Sequence, residues 1–146
     1  MLNFFIILLT AETILACSND WTIIDNNCYK AFTSEMSFDK AKSTCEKYES
    51  ELISNVNKEV AKFLKNNGKF KQRIWLGGEK IKNQWKWKDG TAIPDNFWAR
   101  GQPDHKNDEN CLVLVEKQGL HDFPCRSPRK LVPWYICQKG QNSLSY

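Results

Sequence analysis

Between Gly101 and Cys125 the chain runs GQPDHKNDENCLVLVEKQGLHDFPC, and six side chains in it, Gln102, Asp104, Asn107, Asp108, Glu109 and Asp122, end in carbonyl or carboxylate oxygen. Oxygen donors at this density suit a hard cation such as Ca2+, which takes about six to eight oxygen ligands. Taken alone, the same residues make a Gln-Pro-Asp turn followed by a solvated acidic loop. The chain's two histidines, His105 and His121, also fall here. With Asp104, Glu109 and Asp122 they offer a second chemistry, imidazole plus carboxylate, which suits zinc better than calcium. Catalysis has little to draw on. No Gly-x-Ser-x-Gly elbow is present, the cysteines suit disulfides, and apart from the histidines nothing suggests a base, so no enzyme activity is expected.

A long irregular stretch keeps one shape only if the rest of the chain braces it. At 146 residues, 41% hydrophobic and with six Trp, the sequence has the size and composition of one folded domain rather than a disordered chain. The apolar run MLNFFIILLTAETILA, followed directly by Cys17, reads as a secretory signal peptide over residues 1–16. Broken by Glu12, it is a poor membrane span. Without it, 17 acidic residues become 16 against 21 basic ones, a net charge of +5, which favours acidic partners only mildly. Six cysteines in a secreted domain imply three disulfides, and the spacing selects none of the fifteen pairings. No Cys-x-x-Cys occurs, which argues against a redox dithiol or a zinc ribbon. There is no Asn-x-Ser/Thr acceptor for Asn-linked glycosylation either.

Taken in order, Cys17 to Cys28 forms a short extended piece and its return over Asp25-Asn26-Asn27, continued by Tyr29, Ala31 and Phe32. A helix is predicted from Ser37 to about Ser50, with Ser37 as N-cap and Phe38, Ala41, Cys45 and Tyr48 on its buried stripe. After the connector Glu51–Ser54, a second helix is predicted with Asn57 as cap, Glu59 in its first turn, Val60, Phe63 and Leu64 on its apolar face, and Asn66-Asn67-Gly68 as its stop. From Ile74 the pattern shortens to β-like runs: Ile74–Leu76, Trp85–Trp87 before the Asp89-Gly90 turn, the continuous Cys111–Val115 run, and Trp134–Cys137 as the last strand. Ile93–Trp98 suits a loop pinned by Trp98. A further loop is expected to carry Gly119, His121 and Asp122 to Cys125, and residues 140–146 to form a polar tail.

These features together resemble a C-type lectin-like domain over Cys17 to Lys139. The resemblance is carried by the two helices before Trp75-Leu76-Gly77-Gly78, the Trp85-x-Trp87-x-Asp89-Gly90 turn, Asn96-Phe97-Trp98, Gln102-Pro103-Asp104, Glu109-Asn110-Cys111 and the ordered cysteines. It implies an α+β fold of two helices, antiparallel sheets and a long irregular loop. It also implies disulfides Cys17–Cys28, Cys45–Cys137 and Cys111–Cys125, the first marking the long form of the domain. A cis peptide before Pro103 is implied as well.

The same resemblance implies a Ca2+ ion held by Gln102, Asp104, Glu109 and Asp122, at which sugar hydroxyls would also be ligated. His121 and Asp122 occupy the positions of an Asn-Asp pair usually preceded by Trp, for which Leu120 stands here. An imidazole presents nitrogen to a hard cation, so calcium affinity is expected to fall, toward the millimolar range of weak extracellular sites, while His121 keeps a ring nitrogen for a sugar hydroxyl. His105 after Asp104 argues against an auxiliary calcium site. The Gln-Pro-Asp triplet implies galactose-type preference, although no Trp or Phe follows it to stack on the sugar.

The expected function is thus secreted, calcium-dependent carbohydrate binding to glycans on cells or glycoproteins. The alternative is a calcium-independent, protein-binding domain that keeps the scaffold. Two basic runs, Lys69–Arg73 and Arg126–Lys130, could meet anionic glycans or stand as solvated faces. No nucleic-acid partner and no membrane span is expected.

Overall fold

The computed structural model describes residues 17–54, 56, 59–60, 62–63, 73–106, 108–126 and 133–140. The apolar segment 1–16, most of both basic runs, Asn107, the cap and stop of the second helix, and residues 141–146 therefore lie outside the described residues.

Nine strands and one complete helix are described: β1 (Thr22–Ile24), β2 (Asn27–Phe32), α1 (Phe38–Lys47), β3 (Glu51–Leu52), β4 (Arg73–Leu76), β5 (Gly78–Ile81), β6 (Gln84–Trp87), β7 (Cys111–Val115), β8 (Gly119–Phe123) and β9 (Trp134–Gly140). Glu59, Val60, Lys62 and Phe63 are helical where the second helix was expected. The main sheet runs β1-β2-β9-β4-β7-β8, with β3 also paired to β9, and β5 and β6 form a separate ribbon. All pairings are antiparallel except β4 with β9.

The last strand lies at the centre of the sheet because its apolar run Tyr135-Ile136-Cys137 is buried on both faces. Alternation then divides the core. Ile74, Leu76, Leu112, Leu120 and Ile136 pack on one face with Trp85 and Trp87, and Trp75, Val113, Tyr135 and Cys137 pack on the other against Ala41 and Cys45 of α1. Trp75 is fully buried and satisfies its indole N–H on the Met36 carbonyl at 2.8 Å.

Three bridges fasten this arrangement, Cys17–Cys28, Cys45–Cys137 and Cys111–Cys125, the pairings the resemblance implied. The second ties α1 to β9 across 92 residues of chain, which in the chain-entropy account contributes about 4–5 kcal/mol.

Four local expectations are revised. Helix α1 stops at Lys47, since Glu49 takes a positive φ of 51° and Ser50 turns its hydroxyl onto the Cys45 carbonyl. Tyr48 therefore leaves the buried stripe and stands exposed beside Phe32 and Trp21. Ser37 is the N-cap by position, with extended backbone, but its hydroxyl makes no capping bond. Gly119 to Phe123 is a strand rather than a loop: its pairing with Cys111–Val115 satisfies the backbone, and burial alternates along it. Finally, Gly140 pairs with Asn27, so β9 reaches one residue into the expected tail.

Candidate functional site

Strands β7 and β8 form a hairpin whose register sets Leu112 opposite Asp122 and Val113 opposite His121. Alternation turns Asp122 toward the face of Leu112 and Leu120, and His121 toward that of Val113 and Phe123. The segment after the short 3-10 turn Asp95–Phe97 covers the start of β8. Trp98 bridges to Leu120, Ala99 N–H donates to the Leu120 carbonyl at 3.0 Å, and Trp98 packs on Trp85 with ring centroids 5.6 Å apart. Gly119 is required there. Its φ is +115°, and a Cβ would stand 2.8 Å from the Phe97 carbonyl oxygen. From Ala99 the chain turns through Gly101, at φ +80°, into a cis Gln102–Pro103 peptide.

The loop that follows is held from below by Asp122. Its carboxylate, 3% exposed, accepts the Asp104 N–H at 3.1 Å on Oδ1 and the His105 N–H at 2.9 Å on Oδ2. Two hydrogen bonds from backbone donors satisfy both oxygens of this buried side chain and fasten the loop to β8. With this anchor in place, one carboxylate oxygen from each of Asp104, Glu109 and Asp122 lies within 4.8 Å of the others. Gln102 joins them: its Nε2 reaches Asp104 Oδ2 at 3.5 Å, and its Oε1 is buried without a hydrogen-bond partner.

Three carboxylates this close repel one another, and burial adds to the cost of charging them. Burial first, then contact with Asp104 and the charges of Asp104 and Asp122, push Glu109 from 4.5 to about 7, against the pull of Lys106. Asp104 moves the other way, to about 2, chiefly through its contact with the Lys106 ammonium. Lys106 is raised in turn by the same partner. The cluster thus sets one carboxyl held well below the usual range and one pushed to about 7 beside the buried Asp122, an arrangement a divalent cation would satisfy.

The sequence-predicted residues divide. Gln102, Asp104, Glu109 and Asp122 converge; His121 does not belong to the cluster, nor does His105. His121 is half-buried with its Nε2 unpaired, and burial together with Arg73 lowers its pKa, partly offset by Asp122 and Asp104. The zinc-like set of two imidazoles with carboxylates is therefore not assembled among the described residues. Lys106 is the member that sequence reasoning passed over. Only its position, two residues after Asp104 in a loop of acids, could have signalled it.

An α+β scaffold of this topology, with a long loop after Trp98 and a carboxylate cluster above a disulfide-closed hairpin, matches a C-type lectin domain. A model of that domain matches residues 34–139, and the chain belongs to the C-type lectin family, a non-enzymatic, carbohydrate-binding fold. Among its relatives is the CD209 antigen-like protein C of Mus musculus, 26% identical over 134 residues, covering 88% of this chain and 72% of that protein. Among solved structures, the carbohydrate-recognition domain of the human scavenger receptor C-type lectin superposes with a TM-score of 0.71 at 29% identity, covering 86% of this chain and 99% of that one. A Ca2+-dependent type II antifreeze protein, in its Ca2+-free form, superposes with a TM-score of 0.67 at 28% identity, covering 84% and 99%. Among the described residues no helix is long and apolar enough to cross a membrane.

Proposed function

We propose that this is a secreted lectin that binds a calcium ion through Gln102, Asp104, Glu109 and Asp122 and recognises a sugar at that ion, with galactose-type preference set by Gln102-Pro103-Asp104. The observation that carries this reading is the convergence of three carboxylates within 4.8 Å around a Gln102 oxygen that is buried and unpaired. An orphaned buried acceptor is costly, and a cation that takes oxygen ligands relieves it. Bound there, the ion would supply a Lewis-acid centre for vicinal sugar hydroxyls. The side chains would orient it, and their remaining lone pairs would accept from those hydroxyls.

His121 stands one residue before Asp122 but on the other face of β8, with its Nε2 buried and outside the cluster. As the imidazole gives the ion no oxygen, the affinity falls toward the millimolar range. Secretion accords with the apolar segment 1–16 and with three disulfides.

A second reading, calcium-independent binding of a protein partner, is favoured by His121 standing outside the cluster and by the buried Leu120 before it. Retention on galactose and mannose beads, with and without chelator, separates the two. Calcium-dependent retention on galactose alone is the expected result. Retention that survives chelator, or none on either sugar, favours the second reading.

A further inference from the structure

The carboxylate cluster already holds a positive charge from its own loop. Lys106 Nζ lies 2.7 Å from Asp104 Oδ2, and the Lys106 backbone N–H donates to Asp104 Oδ1 at 3.3 Å. Glu109 and Asp122 act on the same ammonium. The lysine side chain is 70% exposed, so charge rather than packing keeps it there. It can leave without disturbing the core. Asp104 Oδ2 faces Gln102 as well, and an ammonium on this oxygen and a divalent ion among the same carboxylates would repel each other.

We propose that Lys106 is the resident counter-ion of the carboxylate cluster in the cation-free protein, and that a divalent cation binds by displacing its ammonium from Asp104, so that Lys106 sets the affinity of the site. This rests on the calcium reading above. It gives that site a second determinant of weak binding besides His121, and one that acts by competition rather than by loss of a ligand. It also explains how the loop keeps its shape before an ion arrives, since the ammonium offsets part of the repulsion among the three acids. An exposed ion pair contributes little, so displacing it weakens calcium binding by about two- to fivefold and does not abolish it.

The test titrates chelator-stripped wild-type, Lys106→Gln and Lys106→Arg proteins with Ca2+ by calorimetry, and maps acylation of Lys106 in the wild-type by mass spectrometry with and without the ion. The expected result is a Kd about two- to fivefold tighter for Lys106→Gln, a Kd near wild-type for Lys106→Arg, and faster acylation of Lys106 once calcium is present. Equal affinities for wild-type and Lys106→Gln overturn the proposal and leave the calcium reading standing. A tighter Lys106→Gln with unchanged acylation of the wild-type lysine marks a field effect without displacement and also overturns it. Uptake by none of the three proteins overturns the calcium reading and this proposal with it.

Discussion

Replacing Glu109 by Gln isolates what it costs to hold three carboxylates together without a cation. Glu109 titrates at about 7 in the folded chain against an ordinary 4.5. Because the folded value is the higher one, its contribution to stability is whole below about pH 4.5 and is lost as pH rises through about 7. In full that difference is about 3 kcal/mol; water reaching a partly exposed carboxylate screens it to about 1–2 kcal/mol. A neutral amide has no charge to desolvate or repel. Glu109→Gln should therefore be more stable than wild-type by about 1–2 kcal/mol at pH 8.5 in chelator, a rise in Tm of about 3–8 °C for a domain of this size. At pH 4, where the wild-type acid already carries its proton, the two should melt together. Asp104 does not blur this window. Its pKa is depressed to about 2, so its contribution is present above its ordinary 3.8 and is lost only as pH falls through about 2. Calcium should narrow the gap at pH 8.5, since an ion at tenfold excess over its Kd stabilises wild-type by about 1.4 kcal/mol and the variant by less. Thermal unfolding followed by circular dichroism at both pH values decides the matter. No gain at pH 8.5, or an equal gain at pH 4, would refute the account of Glu109 as an acid ionised against burial and two like charges.

Three further outcomes follow from the same geometry. Asp122→Ala removes the acceptor of two loop N–H groups and should destabilise by about 2–4 kcal/mol in denaturant unfolding, with faster amide exchange at Asp104 and His105. Asp122→Asn, which keeps one carbonyl acceptor, should lose less. Opening Cys45–Cys137 by a double Ala substitution should cost about 4–5 kcal/mol and opening Cys17–Cys28 about 3 kcal/mol, because the closed loops span 92 and 11 residues; comparable losses in equilibrium unfolding would argue against loop entropy as the cause. Gly119→Ala should destabilise by about 1–3 kcal/mol, since a Cβ at φ +115° would press on the Phe97 carbonyl, and a Tm equal to wild-type would contradict the close approach.

Much of the scaffold was legible because its signals are local. The CLVLV run became β7, the tryptophan alternation became β6, and the Ala41/Cys45 spacing set the buried stripe of α1. Strand β8 was missed because GLHDF carries a glycine, a histidine and an aspartate; it is a strand through pairing with Cys111–Val115, a contact that sequence periodicity does not report. Tyr48 was misplaced for the opposite reason: the helical spacing continued one residue beyond Lys47, where the helix ends because Glu49 turns the chain. Of the site, oxygen chemistry singled out six residues, and the resemblance to C-type lectin-like domains narrowed them to Gln102, Asp104, Glu109 and Asp122. Their convergence depends on Asp122 gripping the Asp104 and His105 amides across 18 and 17 residues.

By itself the sequence determined the class of scaffold and the supply of oxygen-bearing side chains in the loop, because apolar periodicity, cysteine order and side-chain oxygen content are properties of the residues wherever they lie. The separation of His121 from Asp122 onto opposite faces, the unpaired Gln102 oxygen and the Lys106 ammonium on Asp104 were decided only by tertiary structure. Each depends on which backbone groups a buried carboxylate satisfies and on how charges brought together share one small volume.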